Sequence, residues 1–178
     1  MNNIAIQLIT MFGIGRISKI PGTIASFVTC LFYFLCIIFN VNIIFLLITF
    51  FIILILSIIF INKYFSNFTE IDAKEIVIDE FLGQSIPLMS YYYFLFNSND
   101  FLSFIWIGGF FGTGHTSGFI SWILISFLLF RFFDILKPYP INLIDKKMKN
   151  GFGVMLDDVL AGIFATLVLY ISISLWFN

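Results

Sequence analysis

The sequence predicts an all-α, polytopic bundle of about five membrane-spanning helices, forming a single domain over residues 1–178. Three observations carry that expectation. Hydrophobic residues make up 61% of the chain and the mean hydropathy is +1.07, well above a soluble domain. The apolar residues fall in runs long enough to cross a hydrocarbon core of about 30 Å. The nine basic and ten acidic residues gather in or beside the polar intervals between those runs. Their net charge of -1 offers no basic excess for a nucleic-acid partner. Cys30 and Cys36 both lie inside the first apolar run, where they read as small hydrophobes rather than a disulfide framework.

Each element follows from the chain in order. Met1 to Phe12 lacks the basic leader and small-residue cleavage site of a secretory signal, so it reads as a retained lead-in. Gly13, Gly15, Arg16, Lys19, Pro21, Gly22 and Thr23 then describe a turn with open backbone amides and two cations, suited to an anion. The same cations also fit a plain juxtamembrane turn on the positive side of a membrane. Ile24 to Ile61 is too long for one crossing, and Asn40-Val41-Asn42 divides it into spans of about Ile24 to Phe39 and Ile43 to Ile61, an antiparallel hairpin. In the polar interval Asn62 to Glu80, Asp72, Glu75 and Asp79 stand at i, i+3 and i+7, one face of a helix, with Glu80 about 100° away. They read either as a solvated acidic face or, for Asp79 and Glu80 beside Ile78, Phe81 and Leu82, as an ionisable pair held where a helix meets the bilayer.

A third span runs from about Phe81 to Phe96, with Pro87 inside it and an interface-suited run Tyr91, Tyr92, Tyr93. Phe101 to Phe111 is too short to cross and reads as an interfacial or re-entrant piece. His115, the one histidine, reads as a solvated loop residue, since no second His or Cys stands at metal spacing. The fourth span covers about Phe119 to Phe133 and the fifth about Val159 to Phe177.

Between those last two spans lies the stretch richest in chemistry. Arg131 and Asp134 share a helix face, and Lys137 follows just before the helix must stop at Pro138. A basic loop comes after Pro140, then Gly151 and Gly153, then Asp157 and Asp158 at the start of the fifth helix. If the N-terminus is cytoplasmic, five spans bring the three polar segments to that one face, which agrees with the distribution of Lys and Arg. There Asp79, Glu80, Asp134, Asp157 and Asp158 meet Arg16, Lys19, Arg131 and Lys137. Crowded carboxylates repel unless a cation sits among them, and hard divalent ions prefer oxygen ligands. Magnesium, which binds one or two carboxylates plus substrate phosphate oxygens, fits such a face, with an anionic lipid headgroup as substrate. Two other readings stand beside this one: Arg131–Asp134 pairing with helix-capping acids, or a small ion or metabolite transporter with rim carboxylates.

Three blocks of the chain resemble the phosphatidylglycerophosphatase A family, the bacterial membrane lipid phosphatases. The first is Gly13 and Gly15 closing with Pro21, Gly22 and Thr23; the second runs from Asp72 through Ile76, Val77, Ile78, Asp79, Glu80, Phe81 and Gly83. The third and most specific holds Phe130, Arg131, Asp134, Lys137, Pro138, Pro140, Ile141, Asp145, Gly151, Gly153, Met155, Asp157, Asp158, Ala161 and Gly162. The resemblance implies magnesium-dependent hydrolysis of phosphatidylglycerol phosphate at the cytoplasmic face of the bacterial inner membrane. It implies Asp79, Glu80, Asp134, Asp157 and Asp158 as catalytic and Mg2+-binding candidates, and Arg131 and Lys137 as phosphate clamps; Gly13, Gly15 and Thr23 of the anion-suited turn are further candidates for the substrate phosphate. Ser18 and Ala25 depart from the family's usual Pro and Gly, Tyr139 from a frequent Trp, and the interval between Glu80 and Arg131 is longer than expected. The sequence leaves oligomeric state open.

Overall fold

The computed structural model describes residues 3–17, 19–64, 74–97 and 115–177, and among these every regular element is a helix. Two short helices, α1 (Asn3–Ile9) and α2 (Ile14–Ile17), lead into α3 (Pro21–Ile38) and α4 (Ile43–Tyr64). Then come α5 (Ile78–Asn97), α6 (His115–Leu136), the short α7 (Ile141–Lys147) and α8 (Gly151–Phe177).

Three of these helices are long and apolar enough to cross a membrane, over Pro21–Ile38, Ile43–Lys63 and Gly151–Ser172. They coincide with the first, second and fifth of the expected spans. The third and fourth expected spans correspond to α5 and α6, which are not among the three. α5 opens with Asp79 and Glu80 and carries Gln84 and Ser85, polar groups that face the protein interior rather than lipid. α6 carries Arg131 and Asp134 towards its end.

The close contacts fix the helix directions. Gly22 in the first turn of α3 lies against Glu80 in the first turn of α5 and near Arg131 towards the end of α6. Gly151, which opens α8, donates its backbone N–H to Asn62 Oδ1 near the end of α4 at 2.7 Å. Thus α3, α5 and α8 start at one end of the bundle, while α4 and α6 finish there. α5 packs most extensively on α8 and next on α3, so it is the central helix.

Two glycines explain how closely α5 and α8 approach. A Cβ on Gly162 would lie 2.2 Å from the Gly83 carbonyl oxygen, and one on Gly83 would lie 2.6 Å from the Asp158 carbonyl oxygen. Pro87 stands four residues after Gly83 and has no N–H, so the Gly83 carbonyl is not used by the helix ladder and can face its neighbour. Gly83 is four residues after Asp79, and Gly162 four after Asp158. Residues so spaced share a helix face, and the glycine contact therefore sets the acids one turn away against each other.

Several expectations change. Glu75 does not share a helix with Asp79: Lys74 and Glu75 form a turn and Ile76 and Val77 are non-helical, with the Val77 N–H donated to the Ile9 carbonyl at 3.0 Å. The β-branched run Ile76-Val77-Ile78 favours extended backbone, so the helix starts only at Ile78. α8 starts at Gly151, not near Val159, because Asn150 Oδ1 accepts the Gly153 N–H at 2.8 Å as an N-terminal cap. Asp157 and Asp158 consequently lie two turns inside the helix and do not cap it. The loop expected after Pro140 contains α7. Tyr91 and Tyr92 are buried, not interfacial; the Tyr92 hydroxyl donates to the carbonyls of Cys36 and Val41, fastening α5 to the α3–α4 turn. His115 is the first residue of α6. Asp72 and the re-entrant piece expected over Phe101 to Phe111 lie outside the described residues. Cys30 and Cys36 are free and buried, as expected.

Candidate functional site

At the end where α3, α5 and α8 begin, one carboxylate oxygen from each of Asp79, Glu80 and Asp158 lies within 4.8 Å of the others. Asp79 and Asp158 are buried, at 7% and 4% exposure, and Asp157 beside them is at 5%. The two acid pairs are built alike. Asp79 Oδ1 accepts the Glu80 N–H, and Asp157 Oδ1 accepts the Asp158 N–H, each at 3.1 Å. Asp79 and Glu80 also sit in the first turn of α5, where the positive end of the helix dipole favours acids.

Two cations border the acids. Arg131 Nη1 lies 2.6 Å from Asp134 Oδ2, an i, i+3 pair on α6 that is largely shielded from solvent. Lys137 follows the end of α6 in a left-handed conformation, φ 41°, that swings its side chain back towards the bundle. Its ammonium lies 2.6 Å from Asp157 Oδ2 and 3.0 Å from Asp145 Oδ1, the latter on α7. Burial alone would lower the affinity of Lys137 for its proton. The hydrogen bonds and charges of Asp157 and Asp145 outweigh that effect and hold its pKa above the ordinary lysine value.

Among the described residues several buried polar atoms have no hydrogen-bond partner, and these include, at the site, the acceptor Glu80 Oε2 and the donor Arg131 Nε. Buried polar groups are ordinarily satisfied, so an orphan acceptor among carboxylates beside an orphan guanidinium donor points to a cation and an anion as missing partners. The donor set, all carboxylate oxygen, fits a hard divalent cation. Among the candidates from sequence, the structure brings Asp79, Glu80 and Asp158 together. It places Asp134 on Arg131, and Asp157 on Lys137. Thr23 is half-buried in the first turn of α3, next to Gly22.

The glycine loop is set differently from an open anion cradle. Gly13 takes φ 95° in the turn before α2, and a Cβ on Gly15 would lie 2.0 Å from the Glu75 carbonyl oxygen, so Gly15 makes room for backbone. Arg16 pairs with Glu75 at 2.9 Å on an exposed surface, tying α2 to the turn before α5. Two residues of the resembling blocks that were not among the candidate site residues border the site. Gly22, expected only in the anion-suited turn, abuts Glu80 and Arg131, and nothing local in the sequence signals what a glycine makes room for. Asp145 holds Lys137; being the one acid within the basic stretch 141–149, it was the available signal.

The model of the family described as phosphatidylglycerophosphatase A matches residues 7–173. The chain belongs to the phosphatidylglycerophosphatase A family. The match takes in every acid and cation described above. A phosphatidylglycerophosphatase A of Haemophilus influenzae is 59% identical over 56 residues, 32% of this chain and 34% of the relative. That of Escherichia coli is 31% identical over 99 residues, 56% of this chain and 44% of the relative. The chain thus spans less than half the length of these two phosphatidylglycerophosphatase A relatives. A Bacteroides thetaiotaomicron protein named "Putative phosphatidylinositol-3-phosphatase" is 30% identical over 171 residues, 94% of this chain and 91% of the relative. No solved structure matches the chain.

Proposed function

We propose that this protein is a magnesium-dependent phosphatidylglycerophosphatase, hydrolysing phosphatidylglycerol phosphate to phosphatidylglycerol and inorganic phosphate. The observation that carries the reading is the meeting of Asp79, Glu80 and Asp158 beside Arg131 at one end of an apolar bundle, in a chain of this family. Asp79, Glu80 and Asp158 would hold the magnesium ion, with Asp134 and Asp157 next to them. Bound there, it would neutralise the acids and withdraw charge from the phosphoryl oxygens.

The protein's own groups do the rest. Arg131 presents its unused Nε–H to a phosphate oxygen, and its pairing with Asp134 keeps the guanidinium in place. Lys137 holds Asp157 in one orientation and adds positive charge at the rim. The first turn of α3, with Gly22 and Thr23, supplies backbone N–H groups at a helix start, which favour an anion; Gly13 and Gly15 support it through the loop before. Overall, water replaces the glycerol oxygen on phosphorus, and the alcohol leaves with the proton that water gives up.

In the membrane arrangement that suits this chemistry, α5 and α6 complete a five-span bundle with the site at the cytoplasmic face of the inner membrane. Lys74, Lys137, Lys146, Lys147 and Lys149 at the site end agree with that orientation. Ion transport is not favoured, because the acids collect at one end rather than along a path. The name of the Bacteroides relative supports a second headgroup, phosphatidylinositol 3-phosphate, for the same site.

The test is phosphate release by purified protein in detergent from both lipids, with magnesium or with a chelator. Release from phosphatidylglycerol phosphate with magnesium alone is expected, together with loss of at least about a thousandfold in Asp79→Asn and Asp158→Asn that remain folded. Undiminished turnover in both variants would remove the site.

A further inference from the structure

α3 and α4 are consecutive and antiparallel, yet they do not pack closely along each other; α3 rests on α5, and α4 on α5 and α8. Between the splayed pair lies a cleft of about 70 Å³. Phe32 and Tyr33 of α3 form one wall, Phe45 and Thr49 of α4 the other, and Phe81 and Ser85 of α5 the floor. Two of the three hydroxyls there bond within their own helices, Ser85 Oγ donating to the Phe81 carbonyl at 2.7 Å and Thr49 Oγ1 to that of Phe45, and the third, on Tyr33, pairs with Ser85. What the cleft offers an occupant is aromatic and aliphatic surface, with little to retain water.

Position narrows the occupant further. Both walls belong to helices long and apolar enough to cross a membrane, so the cleft opens onto hydrocarbon. Its floor begins at Phe81, the residue after Glu80, and Phe81 and Ser85 share the helix face adjoining that of Glu80. A molecule with a charged end at the carboxylates and a flexible apolar chain fits both places at once. We infer that the cleft receives an acyl chain of the same phosphorylated lipid whose headgroup lies at Asp79, Glu80 and Asp158. This rests on the reading under Proposed function for the headgroup.

The cleft acts by positioning. A lipid chain leaves surroundings as apolar as the ones it enters, so little transfer energy is gained. A chain held between α3 and α4 instead fixes where its phosphate stands relative to Arg131, and misplacement by about 1 Å can cost a hundredfold in rate.

Two measurements test this. The first compares kcat/KM for dioleoyl and dihexanoyl phosphatidylglycerol phosphate in wild type, in Thr49→Trp, which fills the cleft, and in Leu128→Trp on the exposed face of α6. The long-chain to short-chain ratio should fall about tenfold in Thr49→Trp and match wild type in Leu128→Trp; an unchanged ratio in Thr49→Trp overturns the inference. The second is independent of turnover. Nanodiscs carry a non-hydrolysable phosphonate analogue of the substrate, or phosphatidylcholine, each with a diazirine in its acyl chain, and adducts are mapped by mass spectrometry. Labelling of Phe45 and Thr49 by the phosphonate lipid well above that by phosphatidylcholine is expected. Equal labelling, meaning occupancy by bulk lipid only, overturns the inference, as does no labelling. Should wild type hydrolyse neither substrate, the headgroup reading fails while the labelling still decides the cleft.

Discussion

At the scale of single residues, a side chain on Gly22 would compete with Glu80 for space. Its Cβ would lie 2.0 Å from Glu80 Oε1 and 3.2 Å from Arg131 Nη1. Both are ends of flexible side chains, so the fold can absorb a methyl group by turning them away, whereas the site cannot. Gly22→Ala is therefore expected to melt within a few degrees of wild type while phosphate release falls about a hundredfold. Thermal denaturation in detergent and the phosphate assay, run on one preparation, check the split. The acids themselves were legible from their cost: ionisable groups flanked by Ile78, Phe81 and Leu82, or paired before an apolar run, invite a functional reading. Which of them come together was not, because that depends on contacts between segments some eighty residues apart.

Among the helices and their connections, Lys137 couples three pieces: the end of α6, Asp145 on α7 and Asp157 on α8. Removing its charge leaves the buried Asp157 without its lysine, so Lys137→Met should lose about 3 kcal/mol, the lower end for breaking a buried pair. The sign with pH follows from a folded pKa held above the unfolded one. The lysine's contribution is full below the ordinary value of about 10.4 and lost only as pH rises through the higher folded value. The stability difference between wild type and Lys137→Met should thus stay constant from about pH 6 to pH 9, by detergent melting curves. The stop of α6 before Pro138 was readable from proline's effect on the residue before it. The start of α8 was misread, because two adjacent acids before an apolar run look like caps, and Asn150 seven residues earlier already fills that role. The non-helical Ile76 and Val77 were likewise hidden behind helix-spaced acids, although a β-branched run argued against a helix there.

Taken whole, the molecule collects carboxylates from helices far apart in sequence, and their mutual repulsion opposes folding until something positive joins them. Magnesium, binding only the folded form, should then raise the melting temperature, by the equivalent of about 2.7 kcal/mol at a hundred times its dissociation constant. A chelator should reverse the rise, and Asp79→Asn should abolish it; differential scanning fluorimetry would report both. Hydropathy made the helical class and the gathering of polar segments legible, whereas the splay of α3 from α4 left no mark, since both helices are apolar around most of their circumference. That splay has one more consequence. Each helix is held at both ends, at the bend through Tyr92 and at the polar end by Gly22 of α3 on Glu80 and Asn62 of α4 on Gly151, so the gap between them has a fixed width. A gap of set width should discriminate among long lipid tails by girth, slowing methyl-branched ones while passing straight ones.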